Sequence, residues 1–235
     1  MPHNGCVLPA ISGLVSMKLP ERILFIGAHC DDIELFAGGL LAQVCFAGHR
    51  VGVLVFSDHR GVVDDNVAAQ AQHELAANLQ WLAAQSGNRP CDHTGEMLPA
   101  CRGAFLAERG KLYAAMEELR DQYDLVVTHA PSDTNQDHRQ VAEEAMRVFK
   151  AHTTLLAGEF PNNDVGGFIA QVYIPLDQRE LEAKAQLVSN YRSQDFGGRP
   201  YLDAELVRAL ARLRGAQIRA AAAEAFAVLG RIVVR

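Results

Sequence analysis

The sequence predicts an α/β fold: a mainly parallel sheet with helices on both faces. Continuously apolar runs recur at "RILFIGA" (22–28), "VGVLVFS" (51–57) and "DLVVTHA" (124–130), and strands without polar alternation are those buried on both faces. Segments of helical periodicity separate these runs, and strand–helix alternation produces parallel neighbours. With 235 residues, of which 49% are hydrophobic and 21% charged, the chain is long enough for one well-buried core.

Taken in order, "RILFIGA" is the first strand, and "IELFAGGLLAQVCFAG" follows as a helix closed by Gly48 at its C′ position. "VGVLVFS" is the second strand. The loop "DHRGVVDDN" then leads into the helix "VAAQAQHELAANLQWLAAQ". Residues 86–106, rich in Gly, Pro and Cys, are expected to hide a short strand. "AERGKLYAAMEELRDQY" reads as helix, "DLVVTHA" as strand and "DHRQVAEEAMRVFKA" as helix, and "TTLLAGEF" and "FIAQVYI" read as strands. The last third is expected to hold helices at 178–191 and 203–225, then a closing run "FAVLGRIVV". No repeat or linker interrupts the pattern, so residues 21–235 are expected to form one domain behind a loose leader of residues 1–20.

Composition excludes several partners. A net charge of −6 without any basic stretch argues against nucleic acid. No window approaches the roughly 20 apolar residues of a membrane span, and the leader lacks the cationic start of a signal peptide. Five cysteines without a CxxC pair read as reduced thiols, which points to a cytoplasmic protein.

Two polar clusters stand behind the apolar runs: "GAHCDDIE" (27–34) and "HAPSDTNQDH" (129–138). In a doubly wound sheet of order 3-2-1-4-5, ligands gather beyond the carboxyl ends of the strands where strand order reverses. That crevice lies between strands 1 and 4, so both clusters are expected to face it. His29 and Asp32, three apart across a strand-to-helix turn, and His138 at a helix start then converge from two loops. One carboxylate and two imidazoles suit a zinc ion with a fourth position open to water, the catalytic arrangement. Asp31, beside a ligand but not needed as one, suits the general base that takes the water's proton.

Each piece also has an ordinary reading. Asp before a helix is a cap, and His138 by itself is an unexceptional helix-start residue, with Asp137 as the expected cap and Gln140 three residues on completing a near capping box. Gly38-Gly39 fits helix–sheet packing better than a phosphate loop, and Cys30 fits a small buried residue better than a nucleophile or thiolate ligand.

"AHCDDIE" resembles the AHPDD signature of the PIG-L/LmbE-like deacetylases, and "DTNQDHR" resembles that family's HxDH motif. "EAKAQLVSNYRSQ" and "RGAQIRAAAAEAFAVL" are similar to its closing segments. The resemblance runs from about residue 21 to the C-terminus. It implies a Rossmann-like, LmbE-like fold and a zinc-dependent hydrolase that removes an acyl group, usually acetyl, from an amino sugar. By position, His29, Asp32 and His138 match the zinc ligands, Asp31 the general base and Asp137 the carboxylate inside HxDH.

The chain departs from the pattern at Asn135, where the family has the histidine thought to steady an oxyanion as a cation. An amide still donates a neutral hydrogen bond, about half as strong as a charge-assisted one. His129 is expected to reach in from the strand end, and Arg60 to substitute for a substrate-contacting arginine that is hard to find near Ala71.

The expected function is therefore a zinc-dependent N-deacetylase acting on an N-acetylated amino sugar, free or within a glycoconjugate. The alternatives are a hydrolase of another small amide on the same site, or a metal- or sugar-binding protein that has lost turnover. A nucleotide-binding module lacks its GxGxxG after the first strand. The amphipathic, Arg-rich stretch "GRPYLDAELVRALARLRG" is expected to cover the crevice or to form a subunit contact in a homo-oligomer. Specificity is expected to lie in loops 58–66, 86–106 and 160–170.

Overall fold

The computed structural model describes residues 18–101, 103–195, 199–230 and 232; most of the expected leader lies outside them. In chain order the elements are β1 (Arg22–His29), α1 (Asp32–Phe46), β2 (Arg50–Ser57), α2 (Asp65–Ser86), β3 (Cys91–Asp92), α3 (Ala104–Ala107), α4 (Arg109–Glu117) and β4 (Leu125–Thr128). There follow α5 (Gln136–Phe149), β5 (Thr154–Gly158), β6 (Val172–Leu176), α6 (Gln178–Ser189), α7 (Ala204–Gln217) and β7 (Ala222–Val228). They build one seven-stranded sheet of order β3-β2-β1-β4-β5-β7-β6. The first five strands run parallel, and β7 runs antiparallel to both β5 and β6.

Side chains along β1 alternate between the two faces, and both faces are apolar. Ile23 and Phe25 pack with Leu40, Leu79 and Leu187 from α1, α2 and α6. Leu24 and Ile26 pack with Leu112, Met116 and Phe149 from α4 and α5. This double burial is why the strands lack polar alternation. No helix among the described residues is long and apolar enough to cross a membrane.

The end of the chain departs from expectation. The helix expected over 203–225 stops at Gln217, and the alanine-rich run that follows is strand β7. Gly215 lies so close to Ala222 that a Cβ there would sit 2.6 Å from the Ala222 Cα. Arg219 reverses the chain in the left-handed region at φ 61°. Alanine favours helix, but β7 finds ladder partners on both sides, Leu156–Gly158 and Val172–Leu176. Tertiary pairing overrides local propensity here.

Strand β7 also repairs a break in α1, which is non-helical at Ala37 (φ −147°, ψ 21°). The Gly39 and Leu40 N–H groups beyond the break donate to the Glu224 carboxylate at 2.8 and 2.7 Å. Lys184 Nζ, 2.6 Å away, pairs with the same buried carboxylate. A Cβ on Gly39 would collide with Leu176 and crowd Glu224, and one on Gly38 would crowd Lys184, so Gly38-Gly39 serves packing, as expected.

The pairing of β1 with β4 (Ile23↔Leu125 to Phe25↔Val127) decides the site. It brings the loops carrying residues 29–34 and 129–138 off adjacent strand ends, into the crevice that the topology argument requires.

Candidate metal centre and active site

His29 closes β1, and its backbone N–H donates to Asp32 Oδ2 at 2.6 Å, so the turn itself orients that carboxylate. His29 Nδ1 lies 3.3 Å from Asp32 Oδ2, and His138 Nε2 lies 3.3 Å from Asp32 Oδ1. The two ring nitrogens are 3.2 Å apart. All three residues are buried, and their donor atoms form a group that could hold a metal ion. Two imidazole nitrogens and one carboxylate fit a three-ligand zinc site.

The outward-facing nitrogens of both rings meet carboxylates. His138 Nδ1 lies 2.7 Å from Asp133 Oδ2, and His29 Nε2 lies 3.2 Å from Asp137 Oδ2. Such contacts fix the tautomer of a ligating histidine and raise its basicity. Asp137 is itself held by the Cys101 N–H at 2.5 Å. Its part in this arrangement is to brace His29.

Electrostatics favour positive charge at the centre. Burial opposes a proton on His29, but Asp32 and the Asp137 hydrogen bond outweigh it and raise the imidazole to about 10. Burial likewise opposes charge on His138, yet Asp32 and Asp133 carry it up to about 9. Burial would raise Asp32, but His138, His129 and His29 hold it well below the usual carboxylate range. The same field that draws protons onto the imidazoles would hold a divalent cation in their place.

Asp31 occupies the position before α1, yet its side chain caps nothing. It turns instead to His59 on the loop after β2, whose Nε2 lies 3.1 Å from Asp31 Oδ1. The ordinary reading of Asp31 as a helix cap therefore does not describe this structure.

The remaining expected residues fall elsewhere. The cap of α5 is Asn135, not Asp137: its side-chain oxygen accepts from the Asp137 N–H at 2.9 Å, and the helix begins at Gln136. Gln140 bonds Glu144, so no capping box forms. Asn135 thus keeps only its NH₂ end for any substrate. Asp137, displaced into the first turn, is freed to reach His29. Arg60 forks onto Asp58 with two 2.8 Å bonds. His129 is fully buried behind Asp32, with Nε2 3.0 Å from Asp32 Oδ2. Burial and His138 lower it to about 4, so it stays neutral.

Sequence reasoning missed His59 and Asp133. Asp133 stands in the same polar run as His138. His59 shared with His29 only its place just beyond a parallel strand's carboxyl end, a position where ligands gather.

A cavity of about 270 Å³ lies beyond the His138 ring, lined by Phe36, Phe160, Tyr201, Val207, Leu210 and Ala211. The Phe160 ring is 5.0 Å from that of His138. Helix α7, from the Arg-rich stretch expected to cover the crevice or meet a subunit, supplies one wall.

Comparison with known proteins agrees with this architecture. The chain is 24% identical to the uncharacterized deacetylase YaiS of Escherichia coli (strain K12) over 186 residues, 77% of this chain and 95% of that protein. It shares its fold with the N,N'-diacetylchitobiose deacetylase of Pyrococcus horikoshii (TM-score 0.64, 18% identity, covering 88% of this chain and 83% of that one). It shares it equally with GalB, the 4-carboxy-2-hydroxymuconate hydratase of Pseudomonas putida KT2440 (TM-score 0.67, 16% identity, 91% and 98%). The family described as PIG-L, GlcNAc-PI de-N-acetylase, matches residues 24–149, more than half the chain, and the protein belongs to that family of deacetylases.

Proposed function

We propose that the protein is a zinc-dependent N-deacetylase acting on an N-acetylated amino sugar or a glycoconjugate that carries one. Because the fold also serves a hydratase, the reading has to rest on the site. The observation that carries it is Asp31: a buried carboxylate that caps no helix and stands next in sequence to a ligand of the His29–Asp32–His138 group.

Zinc held by those three residues would supply Lewis acidity toward water and an amide carbonyl. Asp31 takes the proton of the attacking water and returns it to the leaving amine, so one carboxyl group serves as base and then acid. Once a cation has displaced the protons on the ligating side, Asp133 and Asp137 would hold the remaining ring protons of His138 and His29 on the opposite side. His129 is neutral and buried, its Nε2 accepting from the Ala28 N–H at 3.0 Å and lying 3.0 Å from Asp32 Oδ2.

Acetate release from a panel of N-acetylated sugars, with bound metal measured on the same samples, tests the reading. Activity should vanish with a chelator and return with zinc. Turnover confined to non-sugar amides would favour the small-amide alternative. Metal binding with no turnover on any amide would favour a binding protein.

A further inference from the structure

We propose that His59 is a positioning residue for Asp31, its imidazole fixing which carboxylate oxygen faces the crevice. The inference rests on the reading of Asp31 as the base. Asp31 is buried, and among the described residues its carboxylate has one hydrogen-bond partner, His59 Nε2 at 3.1 Å from Oδ1. With Oδ1 held, Oδ2 is the oxygen left for a proton, and the carboxylate cannot rotate away. Aligning a reacting group in this way is worth rate without changing its chemistry.

The His59 ring is itself fixed. It stacks on His29 with centroids 4.5 Å apart and planes 12° from parallel. One imidazole therefore packs against a candidate ligand and bonds the candidate base, tying their relative positions together. The backbone is committed to that aim. His59 adopts φ 67°, a left-handed conformation uncommon outside glycine. Three bonds hold it there: its N–H donates to Ser57 Oγ at 3.1 Å, and its carbonyl accepts from Val62 and Val63 N–H at 3.1 and 3.2 Å. Strain of this kind persists where surrounding structure over-determines it, and it clusters at functional sites.

If the ring served only packing, glycine would suit the backbone better and cost nothing in rate. In His59→Gly the metal content and the circular dichroism spectrum should be unchanged, with some loss of melting temperature because Asp31 is left unpaired. kcat should fall about tenfold to 10²-fold while KM stays within a few-fold. His59→Gln, which restores a side-chain N–H donor, should recover part of the loss. The double variant His59→Gly/Asp31→Asn should be no slower than Asp31→Asn alone. A kcat in His59→Gly equal to the parent's, or losses that multiply in the double variant, would overturn the proposal. A readout independent of turnover is the nitrogen resonance of the His59 ring in ¹⁵N-histidine-labelled, zinc-loaded protein, assigned by its absence in His59→Gly. It should shift in Asp31→Ala, and an unmoved resonance also overturns the proposal. Should no N-acyl substrate be turned over, the deacetylase reading fails, and the ring resonance alone decides the contact between His59 and Asp31.

Discussion

Asp133 Oδ2 and His138 Nδ1 lie 2.7 Å apart, on the side of the ring opposite the nitrogen that faces Asp32 and His29. With a metal at Nε2, that contact would hold the remaining ring proton on Nδ1. Loss of such an outer partner typically weakens metal affinity about 10- to 100-fold. Asp133→Ala should therefore bind zinc that much more weakly in a chelator competition while keeping its circular dichroism spectrum. Unchanged affinity would show that the carboxylate does not govern the tautomer.

Metal binding should release protons. In chelator-treated protein His29 is raised to about 10 and His138 to about 9, so both are charged at neutral pH and a cation must displace those protons. Calorimetry in buffers of different ionisation enthalpy should show about two protons released per cation near pH 7, with affinity rising as pH rises toward 9. The same raised values contribute stability to the metal-free protein. It is fully present below about 6.5 and lost as pH climbs through 9 to 10. Affinity independent of pH would refute the assignment of these imidazoles.

Asp31 and Asp32 should separate cleanly despite being neighbours. Asp31→Asn should keep metal and fold but lose about 10² to 10⁴-fold in kcat, the usual cost of removing a general base. Asp32→Asn should lose metal as well, because Asp32 faces both His29 and His138. Near-parent turnover in Asp31→Asn would sink the base role.

Asn135 should behave first as a helix cap. Its side-chain oxygen accepts from Asp137 N–H, so Asn135→Ala should cost about 1 kcal/mol of unfolding free energy and Asn135→Ser much less. Denaturant titration decides. Equal stability of the two variants would mean that the cap is not the side chain's contribution.

Glu224 should matter far more than an ordinary strand residue. It receives two α1 N–H groups and the Lys184 ammonium while buried. Glu224→Ala leaves Lys184 uncompensated, and breaking a buried pair from one side costs about 3 to 5 kcal/mol. The loss should show in chemical denaturation, and a variant as stable as the parent would contradict this account of α1.

Strand order in the parallel half, and the convergence of His29, Asp32 and His138, were legible in the sequence. In "RILFIGA" every residue after Arg22 is apolar, and a short apolar run without alternation, followed by helical periodicity, reads as a strand buried on both faces. Polar clusters directly behind them must then sit at strand ends, where topology chooses the crevice. What tertiary structure decided involves partners far apart in the chain, which no periodicity records. Residues Ala222–Val228 became a strand because β5 and β6 offered ladders on both sides. Asn135 took the cap, and Asp137 was thereby freed to reach His29, 108 positions away. His59 acquired its meaning only when β2 was laid against β1 and brought its ring onto His29 and Asp31. Local burial and spacing act along the chain and can be read there, whereas the identity of a hydrogen-bond partner is set by which strands lie side by side.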